Sequence, residues 1–395
     1  MTSATPLNGL RIVEFTHMVM GPTAGMVLAD LGAEVVKVEP APAGDSTRHL
    51  TGSGTGFYAA FGRGRRSLCV DMKQPEGLAL VHRLVATADV LIENFRPGAM
   101  AKLGLGYAQL SQLNPRLVYC SCKGFLPGPY EHRTALDEVV QMMGGLAYMT
   151  GLEGRPLRAG SSVIDIMGGL SAVIGIQAAL AERERTGLGG EIQAGLFETV
   201  ALLMAQHMAQ TAITGTAPPP MSTRLPAWPV YDVFETADGG QVFVGVVTDT
   251  SWPPFCAAFG LEDLATDPTL ATKQQRVIER ARTIPRIVAA LSAYTKADLM
   301  AKCEALGLPF APIGKPADLF DDVHLNGSGG LVPMTLPDGR PIKLPALPVT
   351  LDGARPGGAG GLHPPGAEGA ALAAELGYSA AEIDAMRKAG IITGG

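Results

Sequence analysis

The sequence contains little cysteine, and its cysteines are not spaced like metal ligands or like a disulfide framework. Its 395 residues include five cysteines, an odd number, and no two of them form a Cys-x-x-Cys pair. A structural zinc site or a disulfide-stabilised scaffold is therefore disfavoured. We expect reduced thiols, and we predict a cytoplasmic protein because no basic segment followed by an apolar stretch opens the chain.

Charged residues are also scarce, at 17%, and acidic residues outnumber basic ones, so that the formal net charge is −6. Proteins that bind nucleic acids are usually basic, and we predict no nucleic-acid partner. Apolar residues make up 47% of the chain. A chain of this length and composition can form two domains, each with a sizeable core.

No apolar run reaches the roughly 20 residues that a bilayer-spanning helix needs. The run that needs checking, residues 164–180 (IDIMGGLSAVIGIQAAL), is interrupted by Asp165 and Gln177. We interpret it as a buried core helix and predict no association with a membrane.

Three common signatures of catalytic sites are missing as well. The sequence has no HExxH metal motif and no GxSxG nucleophile motif, and its seven histidines are scattered. The turn after the first predicted strand reads THMVMGPTAG, without the G-x-G-x-x-G fingerprint of dinucleotide sites, although Glu39 ends the next strand. We predict no metal and no prosthetic group, and we interpret the first unit as an ordinary βαβ unit.

What the sequence does contain is a regular alternation of strand and helix patterns. Strands are predicted at 10–15, 33–38, 67–72, 89–95 and 117–125, with helices between them. Short connections in this order indicate an open α/β fold with a parallel sheet for residues 1 to about 200. A Pro-rich segment at 214–229 indicates a domain boundary.

The second half of the sequence is organised differently. Strand-like runs on either side of Asp238, Gly239 and Gly240 predict a hairpin. We predict a large α/β domain over 1–213, a linker over 214–229, a small α+β domain over 230–330, and a return strap with the last part of the large domain over 331–395. The segment 353–369 is rich in Gly and Pro, and two short helices are predicted in the tail.

Asp165 is the carboxylate that stands out, because it interrupts an apolar run at the predicted start of a helix over 165–184. It can be an ordinary N-cap residue. It can also be a nucleophile, since a carboxylate at a helix N-terminus is expected to stay ionised at neutral pH. Gly168 and Gly169 would let a substrate or another backbone approach closely.

Several basic residues occur in the first α/β unit. For any one of them, a solvated charged surface is the ordinary interpretation, whereas as a group at the carboxyl edge of the sheet they would hold a polyphosphate ligand. The residues are Arg63, Arg65, Arg66, Lys73, Arg96, Lys102 and Lys123.

Segments along nearly the whole chain together resemble the family III CoA-transferases, which include formyl-CoA:oxalate and carnitine CoA-transferases and are related to the α-methylacyl-CoA racemases. The resemblance is carried by LNGLRIVEFTHMVMGPTAGMVLADLGAEVVKVEPAPAGDSTR, RRSLCVDMKQPEG and ADVLIENFRPGAMAKLGLGY, and further by LNPRLVYCSCKGF, SSVIDIMGGLSAVIGIQAAL and PPGAEGAALAAELGYSAAEI. Their order and spacing are more specific than any single segment. The resemblance implies two chains that interlock as a homodimer, each with a large domain built from both termini and a smaller inserted domain.

The resemblance also implies a site and a reaction. The catalytic aspartate of the family matches Asp165, which would attack an acyl-CoA thioester and pass through a mixed anhydride and an aspartyl-CoA thioester. The substrates would be an acyl-CoA and a small carboxylic acid, for which a short dicarboxylate such as succinate is our prediction. The residues implied in CoA binding are Met18, Val19, Lys73, Asn94, Phe95, Arg96, Lys102 and Lys123.

Two departures from the family limit the prediction. Formyl-CoA transferases have a glutamine where Val19 stands and a tetraglycine loop that has no counterpart near 220–250, so formyl and oxalate specificity is disfavoured. Racemases use a histidine where Leu136 precedes Asp137, and a leucine cannot transfer a proton. An acyl-CoA racemase or isomerase and a catalytically silent CoA-binding protein remain the alternatives. Arg133, Arg158 and Arg224 are candidates for the partner of the acceptor carboxylate.

Overall fold

The computed structural model of the chain describes residues 5–224, 226–336, 338–357 and 360–394. Its strands in chain order are β1 (Arg11–Phe15), β2 (Glu34–Pro40), β3 (Arg65–Val70), β4 (Val90–Glu93), β5 (Val118–Lys123), β6 (Gly190–Gly195), β7 (Val230–Glu235), β8 (Gln241–Val246), β9 (Phe310–Pro312), β10 (Leu331–Thr335), β11 (Pro341–Pro345) and β12 (Ile392–Thr393).

Helices connect most of these strands. In chain order they are α1 (Met20–Asp30), α2 (Phe57–Phe61), α3 (Pro75–Ala86), α4 (Ala99–Lys102), α5 (Tyr107–Leu113), α6 (Asp137–Met143), α7 (Leu146–Thr150), α8 (Val163–Thr186), α9 (Leu196–Leu203), α10 (Ala205–Thr214), α11 (Trp252–Ala258), α12 (Glu262–Thr266), α13 (Lys273–Ile278), α14 (Arg280–Leu291), α15 (Lys296–Ala305), α16 (Val323–Gly327), α17 (Gly369–Glu375) and α18 (Ala380–Lys388). Short 3₁₀ helices lie at Ser46–His49, Gly52–Gly54, Pro268–Leu270 and Pro316–Phe320.

The larger part of the protein is built on a seven-stranded sheet in the order β12-β3-β2-β1-β4-β5-β6. The strands β1 to β6 are parallel to their neighbours. The predicted α/β fold with a parallel-dominated sheet is therefore confirmed. The order reverses between β1 and β4, because the chain runs outward from β1 to β3 and returns to the other side of β1 with β4. In open α/β sheets, ligands bind at the carboxyl edge beside such a switch point.

Helices cover both faces of this sheet. Along β1, Ile12 belongs to a core with residues of α1 and α8, whereas its neighbour Val13 belongs to the opposite core with residues of α3, α17 and α18. The strands β1, β2, β4 and β5 are buried along nearly their whole length, which explains why their sequences are mostly apolar, whereas the edge strand β6 is partly exposed. The result is a three-layer arrangement in which the carboxyl ends of β1 and β4 are held rigidly.

One edge of the sheet is completed by the end of the chain. β12 pairs antiparallel with β3, matching Ile392 with Val70. Nearby, the Glu368 carboxylate accepts a hydrogen bond of 2.7 Å from the backbone N–H of Ser67. This antiparallel edge strand was not predicted, because two residues are too few to give a strand pattern.

Helix α8 confirms the predicted helix over 165–184 and extends it by two residues at each end. It packs against α1, β5 and β6. By length and composition α8 could also cross a membrane, with a mean hydropathy of 1.8. Its Ile174 side chain is 71% exposed, so that the prediction of a buried core helix holds for one side of α8 and not for the other.

The contacts divide the chain into two compact units, Thr223–Asp322 and the remainder, to which both ends of the chain contribute. The unit Thr223–Asp322 has its own apolar core, formed by the antiparallel sheet β7-β8-β9 and by α11 to α15. The predicted hairpin is confirmed as β7 and β8, paired from Val230 and Val246 to Glu235 and Gln241. Residue 225 of the predicted linker and residues 337, 358, 359 and 395 of the predicted last segment lie outside the described residues.

Candidate active site

The loops that follow β1 and β4 are joined at the switch point of the sheet. The backbone N–H of His17 donates to Asn94 Oδ1 at 3.0 Å, and Asn94 Nδ2 donates to the His17 carbonyl at 2.8 Å. The His17 ring also stacks on the Phe95 ring, with 5.6 Å between the ring centroids. Met18 has a positive φ of 61°, and its N–H donates to Thr47 Oγ1 at 2.9 Å. The two loops therefore form one fixed wall.

Two cavities are lined by residues of this wall, and a third shares lining residues with one of them. We call them the sheet-edge cavity, of about 650 Å³, the aspartate cavity, of about 380 Å³, and the side chamber, of about 620 Å³. The first two share lining residues that include His17, Asn94 and Lys123. The aspartate cavity and the side chamber share Phe57 and Arg158. Asp165 lines the aspartate cavity, which shares lining residues with each of the other two.

Asp165 lies in the first turn of α8, and it is not the N-cap. Ser162 precedes the helix and makes no capping hydrogen bond with its side chain. The free backbone N–H groups of Ile164 and Asp165 instead donate to Asp137 Oδ2, at 2.9 and 3.0 Å. The N-cap interpretation of Asp165 is therefore wrong, because a carboxylate from a different helix satisfies these groups and leaves the Asp165 side chain available.

Burial, and after it the negative charge of Asp137, raise the pKa of Asp165 to about 7 against the opposing positive charge of Arg158. The expectation that this carboxylate stays fully ionised at neutral pH is therefore wrong. The favourable field of the helix N-terminus is already used by Asp137. Within the described part of the chain, no hydrogen bond is formed by the Asp165 carboxylate. It is the kind of desolvated, unpaired carboxylate that marks functional sites.

A hydrogen-bonded network supports Asp137. The Gln141 side chain donates to Asp137 Oδ1, and Gln141 Oε1 accepts the backbone N–H of Ala159 at 2.9 Å. Both Asp137 and Gln141 are buried. This network fixes the segment before α8 and therefore the place of Asp165. The sequence analysis missed it: the i, i+4 spacing shows that the two side chains share a helix face, but not which segment they meet.

Gly168 and Gly169 serve the packing of helices. A Cβ atom at Gly169 would lie 2.6 Å from the Met20 carbonyl oxygen, and one at Gly168 would lie 2.8 Å from Met20 Cε. Of the two predicted uses of these glycines, the close approach of another backbone is confirmed. The backbone concerned belongs to α1.

The basic residues of the first unit do not form one group. Arg63 pairs with buried Asp30, and Arg65 pairs with buried Glu14, both at 2.5 Å. Arg66 pairs with Glu34 and Glu375. The expected polyphosphate cluster is therefore wrong for these three arginines, because internal carboxylates already neutralise them. None of the three lines the sheet-edge cavity or the aspartate cavity.

The predicted CoA-binding residues are brought together in part. Asn94, Phe95, Arg96 and Lys123 all line the sheet-edge cavity. Met18 lines the aspartate cavity, whereas the Val19 side chain is fully buried and lines none of the three cavities. Lys73 and Lys102 are exposed on the surface and line none of them either. The Lys123 ammonium is paired with Glu93 and also donates to the Phe95 carbonyl at 3.0 Å.

Other candidate nucleophiles and ligands are less suited to catalysis. A hydrogen bond with Cys122, together with burial, raises the pKa of the Cys120 thiol well above its usual value. Cys120 therefore stays a protonated thiol, which is a poor nucleophile. Over the residues that the structure describes, no group of three or more His, Cys, Asp or Glu side chains is arranged to hold a metal ion.

Comparisons with known proteins agree with this arrangement. The family model described as CoA-transferase family III matches residues 7–366. The chain is 37% identical over 358 residues to a succinate–glutarate CoA-transferase of Agrobacterium fabrum, covering 88% of this chain and 89% of that protein. It is 34% identical over 359 residues to a succinyl-CoA–D-citramalate CoA-transferase of Chloroflexus aurantiacus, covering 89% of each.

A solved structure agrees as well. The crystal structure of a CAIB/BAIF family protein from Brucella suis matches with a TM-score of 0.83 and 35% sequence identity, covering 94% of this chain and all of that one. The fold and these similarities together show that the protein is an enzyme with an α/β fold. The chain belongs to CoA-transferase family III, which confirms both the resemblance and the predicted class of enzyme.

Proposed function

We propose that this protein transfers CoA from an acyl-CoA donor to a short dicarboxylic acid, with Asp165 as the covalent nucleophile. One observation carries the proposal: an unpaired carboxylate with a pKa of about 7 lines a cavity that shares wall residues with both the sheet-edge cavity and the side chamber. In this proposal the two substrates occupy the two neighbouring cavities and react with one nucleophile.

The reaction begins when an Asp165 carboxylate oxygen attacks the thioester carbonyl carbon of the donor. The C–S bond breaks, CoA leaves as the thiolate, and a mixed anhydride remains on Asp165. The thiolate then attacks the Asp165 carbonyl carbon, which releases the donor acid as its carboxylate and leaves an aspartyl-CoA thioester. The acceptor carboxylate reverses these two steps and leaves as its CoA thioester. An anhydride conserves the energy of the thioester if water is excluded.

CoA occupies the sheet-edge cavity in this proposal. Asn94 and Phe95 form its wall, and Arg96 provides a positive charge for the phosphates, since no ion pair of Arg96 occurs among the described residues. Lys123 is partly neutralised by Glu93 and contributes mainly to the shared lining of the sheet-edge and aspartate cavities. No prosthetic group is required, because the CoA thioester is itself a substrate.

The names of the relatives support a short dicarboxylic acid as the acceptor of CoA. The two reported above are named for succinate or succinyl-CoA together with glutarate or D-citramalate. A short dicarboxylate acceptor is consistent with them and with the side chamber, which has mainly apolar walls and a single arginine.

A homodimer is part of the proposal. Helix α6 contacts α7, α8 and α9, while α9 also contacts α8 and α10. These helices carry exposed apolar side chains. These form the apolar helical surface of Val139, Met142, Met143, Tyr148, Leu170, Ile174, Leu202, Met208 and Ile213. Large exposed apolar patches mark interaction surfaces. A second copy of the chain is the partner that we propose for it, in a cytoplasmic enzyme whose five cysteines are all free thiols.

Trapping of the intermediate tests the proposal. The protein is incubated with succinyl-CoA in the absence of an acceptor and then with hydroxylamine, which attacks anhydrides and thioesters but not a resting carboxylate. We expect loss of activity and a hydroxamate on Asp165, and neither effect without succinyl-CoA. Asp165→Ala should bind CoA and form no hydroxamate. Exchange of solvent deuterium into an α position without transfer would instead indicate a racemase, and label on Cys122 would move the nucleophile.

A further inference from the structure

The side chamber has one charged residue in its lining. Its lining combines the apolar residues Phe57, Phe61, Leu157 and Ile166 with small or hydroxyl-bearing residues, namely Ser53, Thr150 and residues 159–162. Arg158 is the only charged side chain among the described residues that line it. Arg158 also lines the aspartate cavity, so that this residue borders both the chamber and the cavity that contains Asp165.

In the structure, this guanidinium already binds a carboxylate. One terminal nitrogen, Nη1, is paired with Glu138, while Nη2 is 3.9 Å from Asp137 Oδ1. Arg158 Nε donates to the Ala159 carbonyl at 3.1 Å, which holds the side chain along its own loop. The Glu138 side chain is 58% exposed and that of Arg158 is 36% exposed. Pairs as exposed as this one contribute little to stability, so Glu138 can be displaced at small cost.

The other two arginines considered in the sequence lie elsewhere. Arg133 lines the sheet-edge cavity, and its guanidinium is 4.8 Å from the centroid of the Tyr130 ring. Arg224 belongs to the unit Thr223–Asp322. Of the three candidates, Arg158 alone lines the cavity that contains Asp165.

We propose that the side chamber is the acceptor site and that Arg158 binds the distal carboxylate of a dicarboxylic acid, in the position that Glu138 occupies in this structure. The proposal rests on the function proposed above. One carboxylate of the acid is directed to Asp165, and the other is held by the planar guanidinium, which matches a carboxylate bidentately. Arg158 is thus the residue that distinguishes dicarboxylic from monocarboxylic acceptors, and Glu138 is an internal competitor for it.

The test compares two acceptors of equal chain length, succinate and butyrate. In Arg158→Gln the ratio of kcat/KM for succinate to that for butyrate should fall by roughly ten- to a hundredfold, because a charge-assisted pair is lost for one acceptor only. Loss of the positive charge beside Asp165 slows both acceptors equally and cancels in the ratio. Arg158→Lys keeps the positive charge but lacks the planar guanidinium that binds a carboxylate bidentately, and it should give an intermediate ratio.

Two further variants complete the experiment. Arg155→Gln removes an exposed arginine three residues away that lines none of the three cavities, and it should leave the ratio unchanged. Glu138→Gln removes the competitor and should lower KM for succinate without changing KM for butyrate. An unchanged ratio in Arg158→Gln, or an unchanged or higher succinate KM in Glu138→Gln, overturns the proposal. If the wild-type protein transfers CoA to neither acid nor to any other dicarboxylate, the function proposed above fails instead.

Discussion

The carboxylate of Asp137 binds the backbone of Asp165 and at the same time repels its side chain. Asp137 Oδ2 accepts the Asp165 N–H at 3.0 Å, and the charge on Asp137 contributes to the raised pKa of Asp165. One residue therefore both positions the proposed nucleophile and keeps part of it protonated near neutral pH. A carboxylate of raised basicity is the better nucleophile once it ionises, at the expense of the ionised fraction.

Activity is expected to depend on pH in the corresponding way. Because the proposed nucleophile is the ionised form and the pKa of Asp165 is about 7, kcat/KM should rise as the pH increases towards 7 and level off above it. Asp137→Asn removes the charge and keeps the shape, and it should move the acidic limb to lower pH. Glu182→Gln, an exposed change farther along α8, is the control. An acidic limb that does not move in Asp137→Asn would contradict this assignment.

Asp165 should also reduce the stability of the fold at neutral pH. Its folded-state pKa, about 7, lies above its ordinary value of 3.8, so the folded protein binds an extra proton between these values. The stability that this proton contributes to the folded state is fully present below pH 4 and is lost as the pH rises through 7. Asp165→Asn should therefore be about 2 kcal/mol more stable than the wild type at pH 8, after allowance for partial solvation, and nearly equal at pH 4.5. Urea unfolding at the two pH values measures the difference. Equal effects at both would point to a packing change instead.

The buried ion pairs should matter for stability and not for substrate binding. Arg65→Met leaves Glu14 buried without its closest partner, and loss of one member of such a pair costs about 3–5 kcal/mol. Arg185→Met breaks a pair with Glu182 in which both side chains are more than half exposed, and it should cost about 1 kcal/mol or less. Thermal unfolding of both variants gives the comparison. Similar losses would mean that Arg65 is not an internal partner of Glu14.

Arg96, in contrast, should matter for substrate binding and not for stability. Arg96→Gln removes a charge from the exposed rim of the sheet-edge cavity, and it should raise KM for the acyl-CoA roughly tenfold while leaving the unfolding temperature unchanged. Lys102→Gln distinguishes the prediction from the sequence, in which Lys102 binds CoA, from the structure, in which Lys102 lines none of the three cavities. From the structure we expect a smaller increase in KM for Lys102→Gln than for Arg96→Gln. A larger effect for Lys102 would place the phosphates of CoA along α4 instead.

The proposed homodimer is tested by sedimentation. We expect a species of twice 41.0 kDa that persists at nanomolar concentration, because an interlocked pair cannot separate without partial unfolding. Replacing Leu202 and Ile213, which are 69% and 84% exposed, by aspartate should weaken the assembly or prevent folding. Glu184→Asp, an exposed change outside the apolar helical surface, is the matched control. A folded monomer of the wild type would contradict the proposal.

The sequence was informative where one segment carries its own pattern. The strands β1 to β5 are largely apolar segments between turn residues, and their positions were predicted within a few residues. Asp165 was singled out because an acid inside the apolar run of α8 is unusual. Both features are local, and local patterns can be interpreted without knowing the tertiary structure.

The rest depends on contacts between distant segments. Nothing in the sequence shows that Asp137 meets the start of α8, that Arg65 lies against Glu14, or that Val19 faces the core. Each residue type has an ordinary interpretation on its own: a helix N-terminal acid, a surface arginine, a loop valine. The charge state of Asp165 follows from its burial and from its neighbour, so the local expectation of a fully ionised carboxylate was wrong.

The antiparallel edge of the sheet has a consequence for the synthesis of this protein. β3 borders on β12, and the N–H of Ser67 is bound by Glu368, 301 residues farther along the chain. At ribosomal rates of about 5–20 residues per second, this segment follows roughly 15–60 s after β3 has emerged. Until then the nascent chain carries an unpaired strand edge, which is a template for aggregation. A stop codon just before Ile392 would leave that edge uncovered for the lifetime of the molecule.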